Sequence, residues 1–333
     1  MLGLLEPGWA ADGPRVRDFQ AEAARWFGAE RGVAVNSGSS ALQLALRAVG
    51  AGPGSLVAVP AYCCAALLNS VSAAGAQPLI VDSEPGGYHL SSNDLADRWD
   101  SRVAAIVAVH MFGDPIDIGP LRQFGVPIIE DCAQSIGATL HGRYTGTEGD
   151  LSIGSFYATK VLTTGHGGIV TSPNQALVEA VTDLTEYDNR DDWEPRFSVG
   201  MSEIQAALGL WQLARLPDFL TRRRAIADYY TGQAVAELGL TPANYRTTGA
   251  EPIFYRFVLR ARNADEAFHR LRASGVDAKR PVYRPLHHYL GGHYPHTQAA
   301  HEQIVSLPIY PTLTDAEAEH VAAILKELAD LWI

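Results

Sequence analysis

GSFYATKVLTTGHGG, residues 154–168, contains a single lysine, Lys160, among apolar, hydroxyl and glycine residues. Surface lysines usually lie among charges of both signs, so this setting predicts an amine held out of water, where the neutral form is favoured. Carbonyl chemistry needs a neutral amine, and burial of a lysine is one way to provide it. The apolar residues 151–156 predict a buried strand that leads directly to Lys160.

A second anchor lies upstream, where VPIIED (residues 126–131) reads as a short buried strand that ends in the carboxylate of Asp131. In open α/β sheets, ligands bind at the carboxyl ends of the strands. Taken alone, Asp131 would be interpreted as the cap of the following turn. Together, the strand-end acid and the isolated lysine predict pyridoxal 5′-phosphate. Lys160 would bond covalently to the cofactor aldehyde, and Asp131 would pair with the pyridine nitrogen.

The bulk properties narrow the class of protein. A chain of 333 residues can form a large α/β domain and a smaller one. The net charge of −11 argues against nucleic-acid binding, and no run of eighteen apolar residues predicts a membrane span. Cys63, Cys64 and Cys132 make a poor disulfide framework, and no signal peptide is recognised, so we expect a cytoplasmic protein.

Strand and helix signals alternate through the first two thirds of the chain, which predicts a mainly parallel sheet flanked by helices. A capping box at residues 202–205 predicts a helix to residue 213, and a second helical stretch covers residues 222–230. Beyond it we predict a small C-terminal α+β domain, with strands at 253–260 and 276–282 and helices at 264–273 and 315–328. The predicted domains are residues 1–220 and 221–333.

Five further residues are candidates for holding the cofactor. Gly38, Ser39 and Ser40 lie where a strand turns into a helix, and backbone amides at a helix start attract phosphate. An ordinary serine N-cap is the alternative. Ser155 could reach the same phosphate, or form a local hydrogen bond at a strand edge. Gln134 could donate to the phenolic oxygen of the cofactor, or simply begin a helix.

Five histidines between residues 287 and 301 have irregular spacing and no cysteine nearby, so we predict no metal site. They are interpreted as solvated or substrate-facing side chains.

The motifs together resemble those of the DegT/StrS-type sugar aminotransferases, a pyridoxal-phosphate-dependent family of fold type I. The resemblance covers nearly the whole chain and rests on an ordered set of segments. These are NSGSSAL (36–42), GAQPLIVD (75–82), HMFG (110–113), EDCAQSIGA (130–138), SFYATK (155–160), EIQAALG (203–209) and LPIYP (307–311).

The resemblance implies an aminotransferase that moves an amino group from glutamate or glutamine to a ketone on a sugar, nucleotide-sugar or cyclitol-like intermediate. It implies that Lys160 carries the cofactor, that Asp131 pairs with the pyridine nitrogen and that Gln134 contacts the ring hydroxyl. Gly38, with the hydroxyls of Ser39, Ser40 and Ser155, would hold the phosphate. Family members are homodimers with active sites at the subunit interface.

The sequence departs from the family pattern at four positions. Cys64 stands where an aromatic residue usually stacks on the cofactor ring, and Tyr62 could substitute for it. Ser198 replaces an asparagine that reaches the partner's phosphate, His166 replaces an acid, and Gly200 replaces an arginine. These changes surround the ligand and imply an atypical substrate. Candidate substrate contacts are Tyr62, His110, His166 and His287.

Two alternatives remain open from the sequence. The first is a lyase, a dehydratase or another carbanion reaction with the same cofactor. A related dehydratase type has histidine in place of the lysine, so Lys160 favours transamination. The second is a non-catalytic regulator that binds pyridoxal phosphate, although a binder would not need the acid, amide and lysine together.

Overall fold

The computed structural model describes residues 9–188, 190–243 and 247–333. Its centre is a seven-stranded sheet in the order β1-β9-β8-β5-β4-β2-β3. The strand β9 runs antiparallel to both of its neighbours, and the other strand pairs are parallel, which confirms the predicted mainly parallel sheet. Its strands are β1 Gly32–Val35, β2 Leu56–Pro60, β3 Gln77–Val81, β4 Val103–Val109, β5 Ile128–Asp131, β8 Leu151–Ser155 and β9 Gly168–Thr171.

Two smaller sheets accompany the central one. A three-stranded sheet contains β6 Thr139–Leu140, β7 Arg143–Tyr144 and β10 Ala250–Glu251, and a two-stranded sheet contains β11 Phe257–Arg260 and β12 Ile304–Leu307. The α-helices are α1 Pro14–Arg25, α2 Gly38–Ala48, α3 Ala66–Ala73, α4 Ser92–Asp97, α5 Gln175–Asp183, α6 Glu203–Tyr230, α7 Ala264–Ala273, α8 His287–Leu290, α9 Pro295–Gln303 and α10 Asp315–Glu327. Short 3₁₀ turns occupy Met111–Gly113, Gly119–Phe124 and Ala329–Leu331, and a π turn occupies Thr231–Val235.

The register of the central strands places two of the predicted residues at one edge of the sheet. Residues 129–131 of β5 pair with residues 151–153 of β8 in parallel. Asp131 is the last residue of β5, and β8 ends at Ser155, shortly before Lys160. The carboxyl ends of parallel strands lie at the same edge, so the sheet brings Asp131 and the Lys160 loop close together.

The helix α6 differs from the prediction of two separate helices. It runs without interruption through 28 residues and contains Pro217. Its capping box is confirmed, because Ser202 and Gln205 exchange both of the expected hydrogen bonds. An interior proline removes one helical hydrogen bond, but buried Leu213, Leu216 and Leu220 continue at helical spacing on both sides of it. Tertiary packing therefore outweighs the local preference to stop.

The C-terminal part has its own core, formed mainly by α6, α7, α10 and β11–β12. The strand predicted at 253–260 is shorter, and the one predicted at 276–282 is reduced to a single bridge between Lys279 and Ser306. Residues 282–304 do not all belong to this core, since Leu286 and Ala300 pack in the core of the large sheet. The division into two domains near residue 220 stays a prediction.

A buried carboxylate ties this C-terminal segment to the large sheet. Asp82 follows β3 and accepts hydrogen bonds from the amides of His296 and Thr297 at 3.1 and 2.8 Å, at the start of α9. Within the described ranges, no helix combines the length and apolarity needed to cross a bilayer. The three cysteines are free thiols.

Candidate active site

The Lys160 loop follows β8 and is closed by its own backbone. Phe156 donates to the carbonyl of Gly167 at 2.8 Å, and Thr164 donates to the carbonyl of Phe156 at 3.0 Å. Lys160 is half-buried rather than fully withdrawn from water, and its Nζ lies 5.3 Å from the centroid of the Tyr255 ring. The sequence prediction of a sheltered amine is therefore only partly confirmed.

The chain has three lysines, and the other two have different surroundings. Lys279 pairs with Asp277 at 2.7 Å and Lys326 pairs with Glu237 at 3.1 Å, with side chains 50% and 40% exposed. Lys160 is therefore the one lysine near the carboxyl edge of the central sheet.

Asp131 is buried at the end of β5. Its Oδ1 accepts a hydrogen bond from the amide of Ala133 at 2.9 Å. Burial raises the pKa of Asp131, although this hydrogen bond and the positive charge on Lys160 act in the opposite direction. A buried carboxylate whose negative charge is offset by so few hydrogen bonds and charges is suited to pair with a cationic group.

Gln134 has one end of its amide fixed and the other weakly engaged. Its Oε1 accepts from the amide of Phe112 at 2.9 Å, in a turn where Phe112 has a left-handed backbone with φ of 62°. Its Nε2 lies 3.9 Å from the sulfur of Met111, which is a weak acceptor. The amide N–H group can therefore be offered to a stronger acceptor, such as a phenolic oxygen.

The start of α2 forms a tight cradle with the Lys160 loop. A Cβ on Gly38 would lie 2.6 Å from Cβ and 2.8 Å from Oγ of Ser155. A Cβ on Gly168 would lie 2.4 Å from the carbonyl oxygen of Ser37. Both positions need glycine because the backbone passes this close. The first turn of α2, with the hydroxyls of Ser39 and Ser155, can hold an anion there.

The serines at the start of α2 form different hydrogen bonds. Ser37, not Ser39 or Ser40, is the N-cap, and its Oγ accepts from the amide of Ser40 at 3.0 Å. Ser40 donates its own hydroxyl to Oδ1 of Asn36 at 2.8 Å. The hydroxyl proton of Ser40 is thus already used, which argues against the phosphate contact predicted for it.

Cys64 lies near Lys160 and Asp131, as the motif predicted for a cofactor-facing position. Its side chain is exposed, and its pKa is lowered to about 6. The largest cause is a hydrogen bond from Cys63, and the amide of Ala66 and the charge on Lys160 add to it. A thiol with a lowered pKa therefore stands where the family pattern has an aromatic ring.

His110 is not placed to contact substrate. It is 2% exposed, its Nε2 lies 2.9 Å from Oε2 of Glu130, and its Nδ1 accepts from the amide of Ile116 at 3.2 Å. Burial opposes the ionisation of Glu130, but His110 and backbone amides lower its pKa nonetheless. Cys132 lies beside this pair. Both nitrogens of His110 are already hydrogen-bonded, so we assign no metal to this cluster.

Tyr62 and His287 also lie away from the predicted contacts. Tyr62 has no exposed surface and packs edge-on against Phe112 at 6.2 Å between centroids, so it offers no free face for stacking. His287 is buried, which lowers its pKa, and its Nε2 lies 3.1 Å from Oε1 of Gln298. It lines a cavity of about 480 Å³ whose lining includes neither Lys160 nor Asp131.

The remaining departures from the family pattern lie at the surface. His166 is exposed, with its ring 5.1 Å from that of Tyr157, and its carbonyl accepts from Nε2 of Gln205 at 2.7 Å. Ser198 is exposed in the segment that follows α5, next to Val199, whose carbonyl accepts from the amide of Asn36 at 2.7 Å. Both positions are therefore open to a partner or ligand.

Tyr255 is the residue near Lys160 that sequence reasoning missed. It lies inside the predicted strand 253–260, where a tyrosine is ordinary, and its approach to Lys160 depends on tertiary packing. In the sequence, the only unusual feature beside Tyr255 is the adjacent charged residue, Arg256.

The lysine, the buried acid, the half-engaged amide and the glycine-lined anion cradle meet at the carboxyl edge of one sheet. These groups fit the aldehyde, pyridine nitrogen, ring oxygen and phosphate of pyridoxal 5′-phosphate. With the sheet order, they define the class as a pyridoxal-phosphate-dependent enzyme of fold type I.

Known proteins with this architecture identify the family. Streptomyces venezuelae DesV superposes with a TM-score of 0.90 at 32% identity, over 99% of this chain and 93% of DesV. GDP-perosamine synthase of Caulobacter vibrioides is 32% identical over 351 residues, covering 98% of this chain and 94% of that enzyme. dTDP-3-amino-3,4,6-trideoxy-alpha-D-glucose transaminase of Streptomyces venezuelae is 33% identical over 345 residues, covering 98% and 90%. Residues 1–326 match the DegT/DnrJ/EryC1/StrS aminotransferase family, and the chain belongs to that family.

Proposed function

We propose that this aminotransferase transfers the amino group of glutamate or glutamine to a ketone on a sugar or nucleotide-linked sugar. The observation that carries the proposal is the meeting of Lys160, from the loop after β8, with the buried Asp131 at the end of the neighbouring β5. The names of the relatives support a sugar acceptor, since one makes GDP-perosamine and another is a transaminase for a dTDP-linked amino sugar.

Each residue has a task that its geometry supports. Pyridoxal phosphate, when bound, supplies the electron sink for the transfer. Lys160 would hold the cofactor covalently and, once released, would move a proton at the donor α-carbon. The carboxylate of Asp131 would favour a proton on the pyridine nitrogen. Gln134 Nε2 would donate to the ring oxygen, and the start of α2 with Ser155 would bind the phosphate.

A donor assay tests the proposal and separates it from the two alternatives. With glutamate and no acceptor, the enzyme should form about one 2-oxoglutarate per active site and then stop. Adding a keto sugar should make the reaction catalytic. If the enzyme consumes a substrate over many turnovers with no acceptor present and releases no keto acid, it is a lyase or a dehydratase. If no donor yields any keto acid, the protein is a regulator.

The cofactor cradle gives a prediction about affinity. Gly38→Ala should weaken binding of pyridoxal phosphate by about ten- to a hundredfold, because its Cβ would displace Ser155, and overpacking of this kind costs about 1–3 kcal/mol. The dissociation constant is measured by titrating the apoenzyme. Gly232→Ala is the matched control, since a Cβ there meets nothing within 4 Å. Equal affinity in the two variants would contradict the assigned phosphate site.

A homodimer is part of the proposal, supported by an apolar stripe on α6. Ile204, Leu208 and Trp211 recur at helical spacing and are 64%, 40% and 54% exposed. The adjacent Gln205 holds the carbonyl of His166, so this stripe is continuous with the Lys160 loop. Docking of a second copy here would bring the partner subunit close to the active site.

Light scattering tests this dimer with a matched pair of substitutions. The wild type should have twice the chain mass of 35.9 kDa. Ile204→Glu should weaken dimerisation by at least about thirtyfold, because a charge would replace a buried apolar contact. Ile333→Glu, at an exposed isoleucine of the C-terminus, should leave the mass unchanged. A monomeric wild type, or a dimer that Ile204→Glu does not affect, would exclude this interface.

A further inference from the structure

Tyr255 is held in place by contacts on both sides of its backbone. The preceding Phe254 has φ of 50°, a left-handed conformation that costs a non-glycine residue free energy. Arg223 on α6 is 6% exposed, and its Nη1 donates to the carbonyls of Phe254 and Tyr255 at 3.0 and 3.3 Å. Such an uncommon backbone persists only where its surroundings fix it, and Arg223 supplies that constraint.

The other side of the same segment is bonded to the turn that positions Gln134. Ile253 donates to the carbonyl of Gly113 at 3.0 Å, and Arg256 donates to the carbonyl of Phe112 at 3.2 Å. The amide of Phe112 in turn holds Gln134. The Tyr255 ring is therefore built into the same frame as a proposed cofactor contact, although it comes from the C-terminal part of the chain.

The Tyr255 ring faces the amine of Lys160. The distance of 5.3 Å from Nζ to the ring centroid is within the range of a cation–π interaction. The pKa of Tyr255 is lowered: burial acts to raise it, but the charges on Lys160 and Arg256 and a hydrogen bond with Thr159 outweigh burial. The ring thus lies in a positive field to which Lys160 contributes.

We propose that the Tyr255 ring is the resting platform for the free amine of Lys160. In the intervals when the amine is not bonded to the cofactor, the ring holds it as an ammonium group inside the site. A lysine has a long flexible stem, and without such a surface the released amine would be free to swing into solvent. Tyr255 is in this sense a positioning residue. The inference rests on the proposed role of Lys160.

Chemical labelling of the apoenzyme tests the platform without using activity. The three lysines are acetylated over a range of pH, and the rate at each is measured by mass spectrometry, with Lys279 and Lys326 as internal references. In Tyr255→Leu the labelling curve of Lys160 should move to lower pH by about half to one unit, and its rate near pH 8 should rise about three- to tenfold. Tyr255→Phe keeps the ring face and should stay within about twofold of the wild type.

The shape of the rate-against-pH curve of Lys160 distinguishes loss of the Tyr255 ring contact from a simple increase in the exposure of the amine. Greater accessibility alone would raise the Lys160 rate by one factor at every pH, including the high-pH plateau where the amine is fully neutral, and a rise of that kind with no movement of the curve would overturn the proposal. Among the residues that the structure describes, the charged or ionisable groups that interact with Lys160 are Asp131, Cys64 and Tyr255. Arg256 also lies against the Tyr255 ring, and only Tyr255 changes between the variants.

Two further outcomes would also overturn the platform. One is an unchanged Lys160 curve in Tyr255→Leu, and the other is an equal shift in Tyr255→Phe, which would assign the effect to the hydroxyl. If circular dichroism shows that Tyr255→Leu does not fold, Tyr255→Met gives the same comparison. Protection of Lys160 by added pyridoxal phosphate in the wild type is a separate readout. Its absence would contradict the proposed function, whatever the variants show.

Discussion

Lys160→Ala is expected to lower the rate constant of amino transfer from the donor by at least about 10⁴-fold, the upper end of the effect of a positioned general acid–base group. The loss should be this large because the same side chain anchors the cofactor and moves the proton. The measurement is keto-acid formation from glutamate under single-turnover conditions. Turnover by Lys160→Ala at the wild-type rate would remove the basis of the proposed function.

The low lysine content of the chain makes this test sharp. Lys279 and Lys326 are the only other lysines, and both lie in exposed ion pairs. Replacing both by alanine should leave kcat unchanged. Borohydride reduction should attach the cofactor to the peptide that contains residue 160 and to no other peptide. Lys160→Arg keeps the positive charge but cannot deprotonate, so it should fail like the alanine variant.

Asp131→Asn should retain the fold and bound cofactor but reduce kcat by about 30- to 4,000-fold. Removing one partner of a buried, hydrogen-bonded charge pair costs about 2–5 kcal/mol, which corresponds to that range. The amide has nearly the same shape and can still occupy the position, but it cannot hold the proton on the pyridine nitrogen. Rates and cofactor spectra of the two proteins are compared at equal cofactor saturation.

Asp82 offers a matched control for this substitution. It is also a buried aspartate just beyond the carboxyl end of a parallel strand, but its carboxylate caps α9. Asp82→Asn should lower thermal stability by weakening this cap, with little change in kcat per folded site. A similar fall in kcat for both variants would mean that the loss in Asp131→Asn reflects general damage at the edge of the sheet.

Much of the fold was predictable because its signals are local. The apolar strands of the central sheet, the capping box at Ser202 and the strand-end position of Asp131 each depend on neighbours in sequence, and the structure confirms them. The continuity of α6 through Pro217 was not predictable in this way. It depends on leucines whose burial is decided by distant elements.

The candidate site was predictable where a motif holds its residues together and not where tertiary packing decides. Lys160, Asp131 and Gln134 each lie inside a short contiguous motif, so the sequence alone could point to them. His110 was misassigned because the sequence does not reveal that Glu130 and Ile116 occupy both of its nitrogens. Tyr255 was missed for the converse reason, since an ordinary strand tyrosine reaches Lys160 only through the left-handed turn at Phe254.

The long helix α6 and the Asp82 cap on α9 bear on how a substrate enters. The helix crosses from one core to the other as a single rod, and Asp82 fastens the returning chain to the large sheet. A hinge motion between the C-terminal part and the large sheet would have to bend α6 and break the hydrogen bonds of Asp82. Entry of substrate is therefore expected to depend on movements of surface loops and side chains, without a change in how these two parts are arranged.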